Sequence, residues 1–349
     1  STALHLRSDV PVGLFLSGGL DSASLLALSS GAVRTLSIGF AESRYDESHD
    51  AIRLAKAFGA SHSRLMLGPS DADRLLPMFL RAVDQPSVDG FNTFCVSSLA
   101  SAEGLKVVLS GLGGDELFGG YPSFQRLPAS LAWHRRLRLI APWLGRGLQG
   151  LRTDSHLQRI AAGLQQPPSM INSHQVLRGL FAPSEVLRLL NHWKLPTVLP
   201  ELQSHSVPAA GDLDQLVWLE SSSYMGDQLL RDSDTYSMAH ALELRLPFVD
   251  SFVFRSLAGL PASSRLLRSK ALLRRALPEL EPYLSSHKPK QGFSLPFPEW
   301  FSSGPLADTL NQHLPGLPSG LDLRPWARQW GLMVLHDWLY RHLGISLAS

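Results

Sequence analysis

The feature that most constrains this chain is a short apolar run, residues 12–16, that stops at Ser17-Gly18-Gly19 and gives way to a helical pattern over residues 20–29. A brief continuous apolar run closed by glycine reads as a strand buried on both faces, as in a parallel sheet. The same grammar then repeats. Residues 33–40 form a second β-rich run, followed by a helical stretch at 47–58. Residues 62–67 suggest a third strand, with helices at 71–83 and 93–103. A last apolar run at 105–109 ends at Ser110-Gly111. Strands alternating with helices predict an α/β fold built on a doubly wound parallel sheet. Ligands of such sheets bind at the carboxyl ends of strands, where both glycine-rich segments fall.

The first of these segments, Leu16-Ser17-Gly18-Gly19-Leu20-Asp21-Ser22, links a strand to a helix. Small residues let the backbone approach an anion, and a helix N-terminus supplies N–H groups and a positive dipole end. Ser17 and Ser22 add hydroxyl donors. Asp21 is unfavourable beside phosphate unless it holds a cation such as Mg2+. Gly-Lys-Ser/Thr occurs nowhere, which excludes a Walker A loop. The second segment, Ser110-Gly111-Leu112-Gly113-Gly114-Asp115-Glu116-Leu117-Phe118-Gly119-Gly120-Tyr121, carries two more carboxylates. Asp21 and Asp115 could share Mg2+ bound to pyrophosphate.

Composition sets the wider bounds. The 349 residues are 44% hydrophobic and 18% charged, enough for a packed core. A net charge of +2 gives no general argument for nucleic acid or a membrane as partner. A single cysteine, Cys95, allows neither an internal disulfide nor a multi-thiolate metal site, and it reads as a buried apolar residue in a reducing, cytoplasmic setting. No signal-like segment or bilayer-length apolar run is present. Beyond Tyr121 the pattern turns helical. The expected division is therefore an α/β core over residues 1–121 and a mainly helical part over 122–349 that completes one integrated domain. Residues 213–243 read as its clearest helix. Seven arginines against one carboxylate, Asp154, mark residues 126–159, read as solvated helix faces or as a docking face for a partner or acidic ligand.

The first loop resembles the PP-loop of ATP pyrophosphatases, a likeness that implies cleavage of ATP to AMP and pyrophosphate. The two loops together resemble the synthetase domain of glutamine-dependent asparagine synthetases. Three further stretches are similar: Ser237-Met238-Ala239-His240-Ala241-Leu242-Glu243-Leu244-Arg245-Leu246-Pro247-Phe248, Lys270-Ala271-Leu272-Leu273-Arg274-Arg275, and Lys288-Pro289-Lys290-Gln291-Gly292-Phe293-Ser294. The matches run in order from residue 10 to about residue 300. The resemblance implies that Leu16, Ser17, Gly18, Gly19 and Ser22 line the ATP phosphates and ribose. It implies that Ile38 lies against adenine and that Ser110 and Gly111 contact the nucleotide. Asp21 and Asp115 would hold Mg2+ and pyrophosphate, and Lys290 would face the reacting phosphates. Lys270 is a second candidate nucleotide contact, set against its reading as an exposed helix lysine. Asp232, Asp234, Glu243 and Arg245 read as ion pairs that position a helix at least as well as substrate contacts.

Two departures bear on chemistry. Many asparagine synthetases carry Glu where this chain has Leu112, so Glu116 or another geometry would serve the ammonia step. Complete members begin with a glutaminase domain whose first residue is a nucleophilic Cys, whereas this chain begins at Ser1. The expectation is therefore amidation of aspartate, or of another carboxylate, through an acyl-adenylate. Its nitrogen would come from free ammonia or from a glutaminase part absent from the chain. Closure of a lactam or macrolactam is the nearest alternative, and a non-catalytic ATP-binding module is another. A homodimer is left open.

Overall fold

The computed structural model describes residues 1–150, 154–197, 207, 210–284 and 295–347. The chain divides into two compact units, each made of two chain segments: Ser1–Gly120 with Met225–Thr309, and Tyr121–Tyr224 with Leu310–Ser349.

The first unit is α/β. After the short helix α1 (Thr2–His5), its leading segment runs β1 (Val12–Phe15), α2 (Leu20–Leu28), β2 (Arg34–Gly39), α3 (Ser48–Ala57), β3 (His62–Met66), α4 (Pro69–Ala82), α5 (Phe91–Ala102), β4 (Val107–Leu109) and α6 (Gly114–Phe118). A fifth strand, β5 (Glu243–Arg245), comes from the returning segment. The sheet order is β3-β2-β1-β4-β5 with every pairing parallel. The predicted doubly wound sheet is thus the one observed. Alternate residues serve opposite faces, as a strand period of two requires. Val12, Leu14, Val107 and Leu109 join α2 and α3 residues with Phe248, Leu273 and Leu280 in one core. Leu36, Val108 and Leu242 pack with Ala100 and Leu105 in the other.

One expectation is corrected. The stretch 213–243 is not a single helix. A helix at Asp212–Leu219 widens into a π-type stretch over Glu220–Leu230 and ends as Arg231–Met238, after which Glu243 opens β5. Helical periodicity could not reveal β5, because three residues carry no period of their own. Its place comes from pairing, with Val108 opposite Leu244 in the sheet.

The second unit is helical. It includes α7 (Ser123–Arg136) and α8 (Ala141–Gly150) and ends in the helix Trp326–Leu343. Trp330, Leu332, Met333 and Val334 are buried there. Arg328, also buried, grips Glu185 bidentately at 2.8 and 2.7 Å. Among the described residues, no helix is long and apolar enough to cross a membrane.

A close approach in the first unit makes the packing testable. Gly90 starts α5 with φ +91°, and a Cβ there would overlap the ring of the buried Tyr236. Gly90→Ala combines overpacking with a left-handed backbone and should cost about 3 kcal/mol. Chemical denaturation would read this as a lower midpoint at unchanged slope.

Candidate functional site

The strand order sets the site. From β1 the chain moves outward to β2 and β3, then crosses to the other side of β1 for β4, so the winding reverses between β1 and β4. Leu14 pairs with Leu109 at the carboxyl ends of these neighbours. The two glycine-rich loops therefore leave side by side, and a Cβ on Gly111 would stand 3.0 Å from both Asp21 Cβ and the Ser22 nitrogen. Such a reversal leaves a crevice where ligands bind. β2 outruns its neighbour: Phe15 pairs with Leu36, the Leu16 N–H reaches the Leu36 carbonyl at 2.8 Å, and β2 continues through Ser37, Ile38 and Gly39. Ile38 is 2% exposed, so this overhang presents main chain rather than side chain.

Lys270 sits at the charged centre. The reading of it as an exposed helix lysine is corrected: it is 4% exposed, because its backbone does not continue a helix inward from the surface. Ser269 and Lys270 both adopt left-handed conformations, φ 56° and 54°, just before the helix Ala271–Ala276. Two consecutive non-glycine residues in that region are costly and persist only where the surroundings hold them. The Lys270 Nζ donates to Asp21 Oδ2 and stands 2.6 Å from Asp115 Oδ1. Glycine makes this convergence sterically feasible. A Cβ on Gly114 would collide with the Asp21 carboxylate, and one on Gly120 would overlap Asp115 and stand 2.6 Å from Lys270 Cε.

Among the described residues no group of three or more His, Cys, Asp or Glu side chains could cage a metal ion. Two carboxylates converging on one cationic atom nevertheless fit Mg2+, which commonly takes one or two protein carboxylates and fills its octahedron with phosphate oxygens and water. The donor set suits a metal that arrives with a phosphorylated substrate.

The phosphate-type loop is internally braced. The Ser17 N–H donates to Ser22 Oγ at 3.1 Å, the two hydroxyls lie 3.0 Å apart, and the Gly19 N–H donates to Ser17 Oγ at 3.1 Å. Asp50, in the first turn of α3, was missed from sequence: a Cβ on Gly18 would lie 2.7 Å from Asp50 Cβ. The available signal was an acid soon after β2, on the same edge of the sheet. The loop beyond β2 is stapled by late residues. The Trp300 Nε1–H donates to Glu42 at 2.8 Å and the Tyr45 hydroxyl to Glu299 at 2.9 Å.

Other anticipated residues are distributed as follows. Ser110 donates its N–H to the Arg245 carbonyl at 2.9 Å, and Glu116 on α6 is 1% exposed. Lys290 and Lys288 lie outside the described residues. Cys95 is fully buried, and burial pushes its thiol pKa up. Asp232 is buried, and burial pushes its carboxyl up although the Ser87 hydroxyl and the Arg231 guanidinium, at 2.9 Å, oppose the shift. Arg231 also meets Asp84 at 3.8 Å, so this pair ties the helix to the segment before α5. Asp234 is exposed. Arg245 pairs with Glu243 at 2.8 Å and clips the N-terminal segment through the carbonyls of His5 and Arg7 at 2.7 and 2.8 Å.

Residues 1–323 match a family model described as asparagine synthase. A Mycobacterium tuberculosis protein named for glutamine-hydrolyzing asparagine synthetase is 32% identical over 333 residues, covering 88% of this chain and 48% of that protein. Asparagine synthetase (glutamine-hydrolyzing) 1 of Bacillus subtilis is 29% identical over 327 residues, 87% of this chain and 49% of its own length. An amidase of Penicillium rubens, chyE, is 24% identical over 379 residues, 88% and 52% of the two chains. The chain spans about half the length of these relatives.

Removing the central ammonium leaves two partly buried carboxylates facing each other. Lys270→Met should lower stability by about 3 kcal/mol. Adding Asp21→Asn should recover a good part of that loss, because it removes one of the opposed charges. A double-mutant cycle on thermal midpoints checks the coupling.

Proposed function

This chain belongs to the asparagine synthase family, and from that premise we propose that it activates a substrate carboxylate with ATP and passes the acyl group to ammonia, the carboxylate being the side chain of aspartate. The observation that carries the reading is the convergence of Asp21, Asp115 and Lys270 beside two glycine-rich loops at the reversal of the sheet.

In this proposal, Leu16, Ser17, Gly18, Gly19 and Ser22 line the ATP phosphates and ribose at the N-terminus of α2. The overhanging main chain at Ile38 meets adenine, and Ser110 and Gly111 border the nucleotide. The substrate carboxylate oxygen attacks the α-phosphorus, its new P–O bond forms, and the α–β bridging bond breaks to release pyrophosphate. Asp21 and Asp115 would hold Mg2+, which supplies charge neutralisation on that leaving group. Lys270 stays within reach of the same oxygens, and Lys290, assigned from sequence resemblance, adds a second positive charge where negative charge accumulates. Ammonia then attacks the acyl carbon, the acyl C–O bond breaks to release AMP, and Glu116 accepts the proton that nitrogen loses. Shielding the mixed anhydride from water is essential, because hydrolysis would return the acid. Leu112 and the Penicillium amidase favour a second reading, in which the same adenylation acts on another carboxylate or amine.

Pyrophosphate release from Mg2+–ATP, with aspartate and ammonium present, is the direct test. Release should depend on aspartate, asparagine should form, and Asp21→Asn or Lys290→Ala should each lower the rate by about 100-fold. Release without asparagine selects the second reading. Tight ATP binding with no turnover for any acid leaves only a binding module. Glu116→Gln separates the half-reactions: pyrophosphate release should persist while amide formation falls by about 100-fold. If both are retained, Glu116 is not the proton acceptor.

A further inference from the structure

The arginine-rich stretch has a property that its charge alone does not reveal. Between Glu116 and Asp154 the sequence holds no carboxylate, yet it holds Arg126, Arg135, Arg136, Arg138, Arg146 and Arg152. The near-neutral whole chain conceals this local excess. The stretch also turns large apolar side chains outward. α7 packs inward through Phe124, Leu127 and Leu131. α8 is inverted relative to an ordinary amphipathic helix. Its buried residues are the small Ala141 and Gly145, and a Cβ on Gly145 would lie 2.6 Å from the Ala161 carbonyl, so the neighbouring helix seats against the small side. Trp143 and Leu144 therefore face away. Trp133 is 61% exposed, Leu139 81%, Ile140 51% and Trp143 71%.

At the junction of the two helices every residue from 135 to 140 is exposed, and the order is Arg-Arg-Leu-Arg-Leu-Ile. Arg136 lies over the Trp133 ring at 5.3 Å and Arg146 over the Trp143 ring at 5.2 Å. Stacking engages the face of a guanidinium and leaves its N–H edge for oxygen acceptors. Arg135 is paired with Asp212 at 2.6 Å, which keeps one of these arginines within the fold.

We propose that the α7–α8 tip is a docking surface for an anionic lipid bilayer, inserting Leu139, Ile140 and Trp143 among the headgroups while Arg136, Arg138 and Arg146 engage phosphate. Charge complementarity is the first argument, because a carboxylate-free cationic stretch suits acidic headgroups. The second is the arrangement of side chains. A folded protein partner presents an apolar core with a polar rim to a matching patch. Here apolar and cationic residues are interleaved along a junction whose residues 135 to 140 are all exposed. A fluid interface, apolar in depth and anionic at its surface, satisfies both kinds at once. Tryptophan and arginine are the residues suited to that boundary. Such attachment lies on the membrane and needs no spanning helix.

Flotation of the full chain with phosphatidylcholine vesicles, with and without roughly a third phosphatidylglycerol, tests this. Binding should require the anionic lipid and weaken at high salt. Arg136→Ala and Arg138→Ala should each reduce binding about fivefold. Leu139→Ser and Trp143→Ser should reduce it at unchanged charge. All four side chains are exposed, so circular dichroism melting should not move. Failure to float with anionic vesicles at low salt overturns the proposal, as does binding insensitive to the apolar substitutions. Self-association in sedimentation that Leu139→Ser abolishes, with no vesicle binding, reassigns the tip to a second copy of the chain.

Discussion

A buried ammonium between two carboxylates organises the first unit. Asp21 comes from the first turn of α2, Asp115 from the first turn of α6, and Lys270 from a segment far along the chain. None of these groups could be buried alone, because an isolated charge loses its hydration without replacement. The shared ammonium offsets one of the two negative charges and lets three separate segments meet at the end of the sheet. The left-handed backbone at Ser269 and Lys270 is the conformational cost of delivering the ammonium to that point, and glycines at 114 and 120 leave room for it.

The sheet supplies the frame on which this contact depends. Winding outward from β1 to β3 and then crossing to β4 places the carboxyl ends of β1 and β4 side by side. The shortness of β1 relative to β2 leaves main-chain edge beyond the pairing, next to the phosphate-type loop. The glycine-rich loops, the Lys270 ammonium and the overhanging edge of β2 all belong to one unit.

Surface chemistry is divided differently between the units. The first pairs charge at the end of its sheet, and Arg231 joins buried Asp232 to Asp84. The second buries its own pair, Arg328 with Glu185, yet displays arginine and tryptophan together at the α7–α8 tip. Net charge near zero conceals both arrangements, because it sums over groups whose surroundings differ.

The sequence by itself determined the parallel α/β class, the first four strands in order, and the two loops with Asp21 and Asp115. These are local properties, written in apolar runs, glycines and short spacings. β5 was not legible, since three residues have no period and gain their identity from pairing with β4. Asp50 was hidden because only the fold brings the first turn of α3 against Gly18. Lys270 stood between a nucleotide contact and an exposed helix lysine, because its left-handed approach is invisible in the sequence. The outward turn of Trp143 and Leu144 was equally concealed: small residues claimed the inner face of α8, and only packing shows which side of a helix its neighbours occupy. Tertiary structure decides such matters because burial and charge pairing depend on distance in space, and sequence spacing sets that distance only within an element.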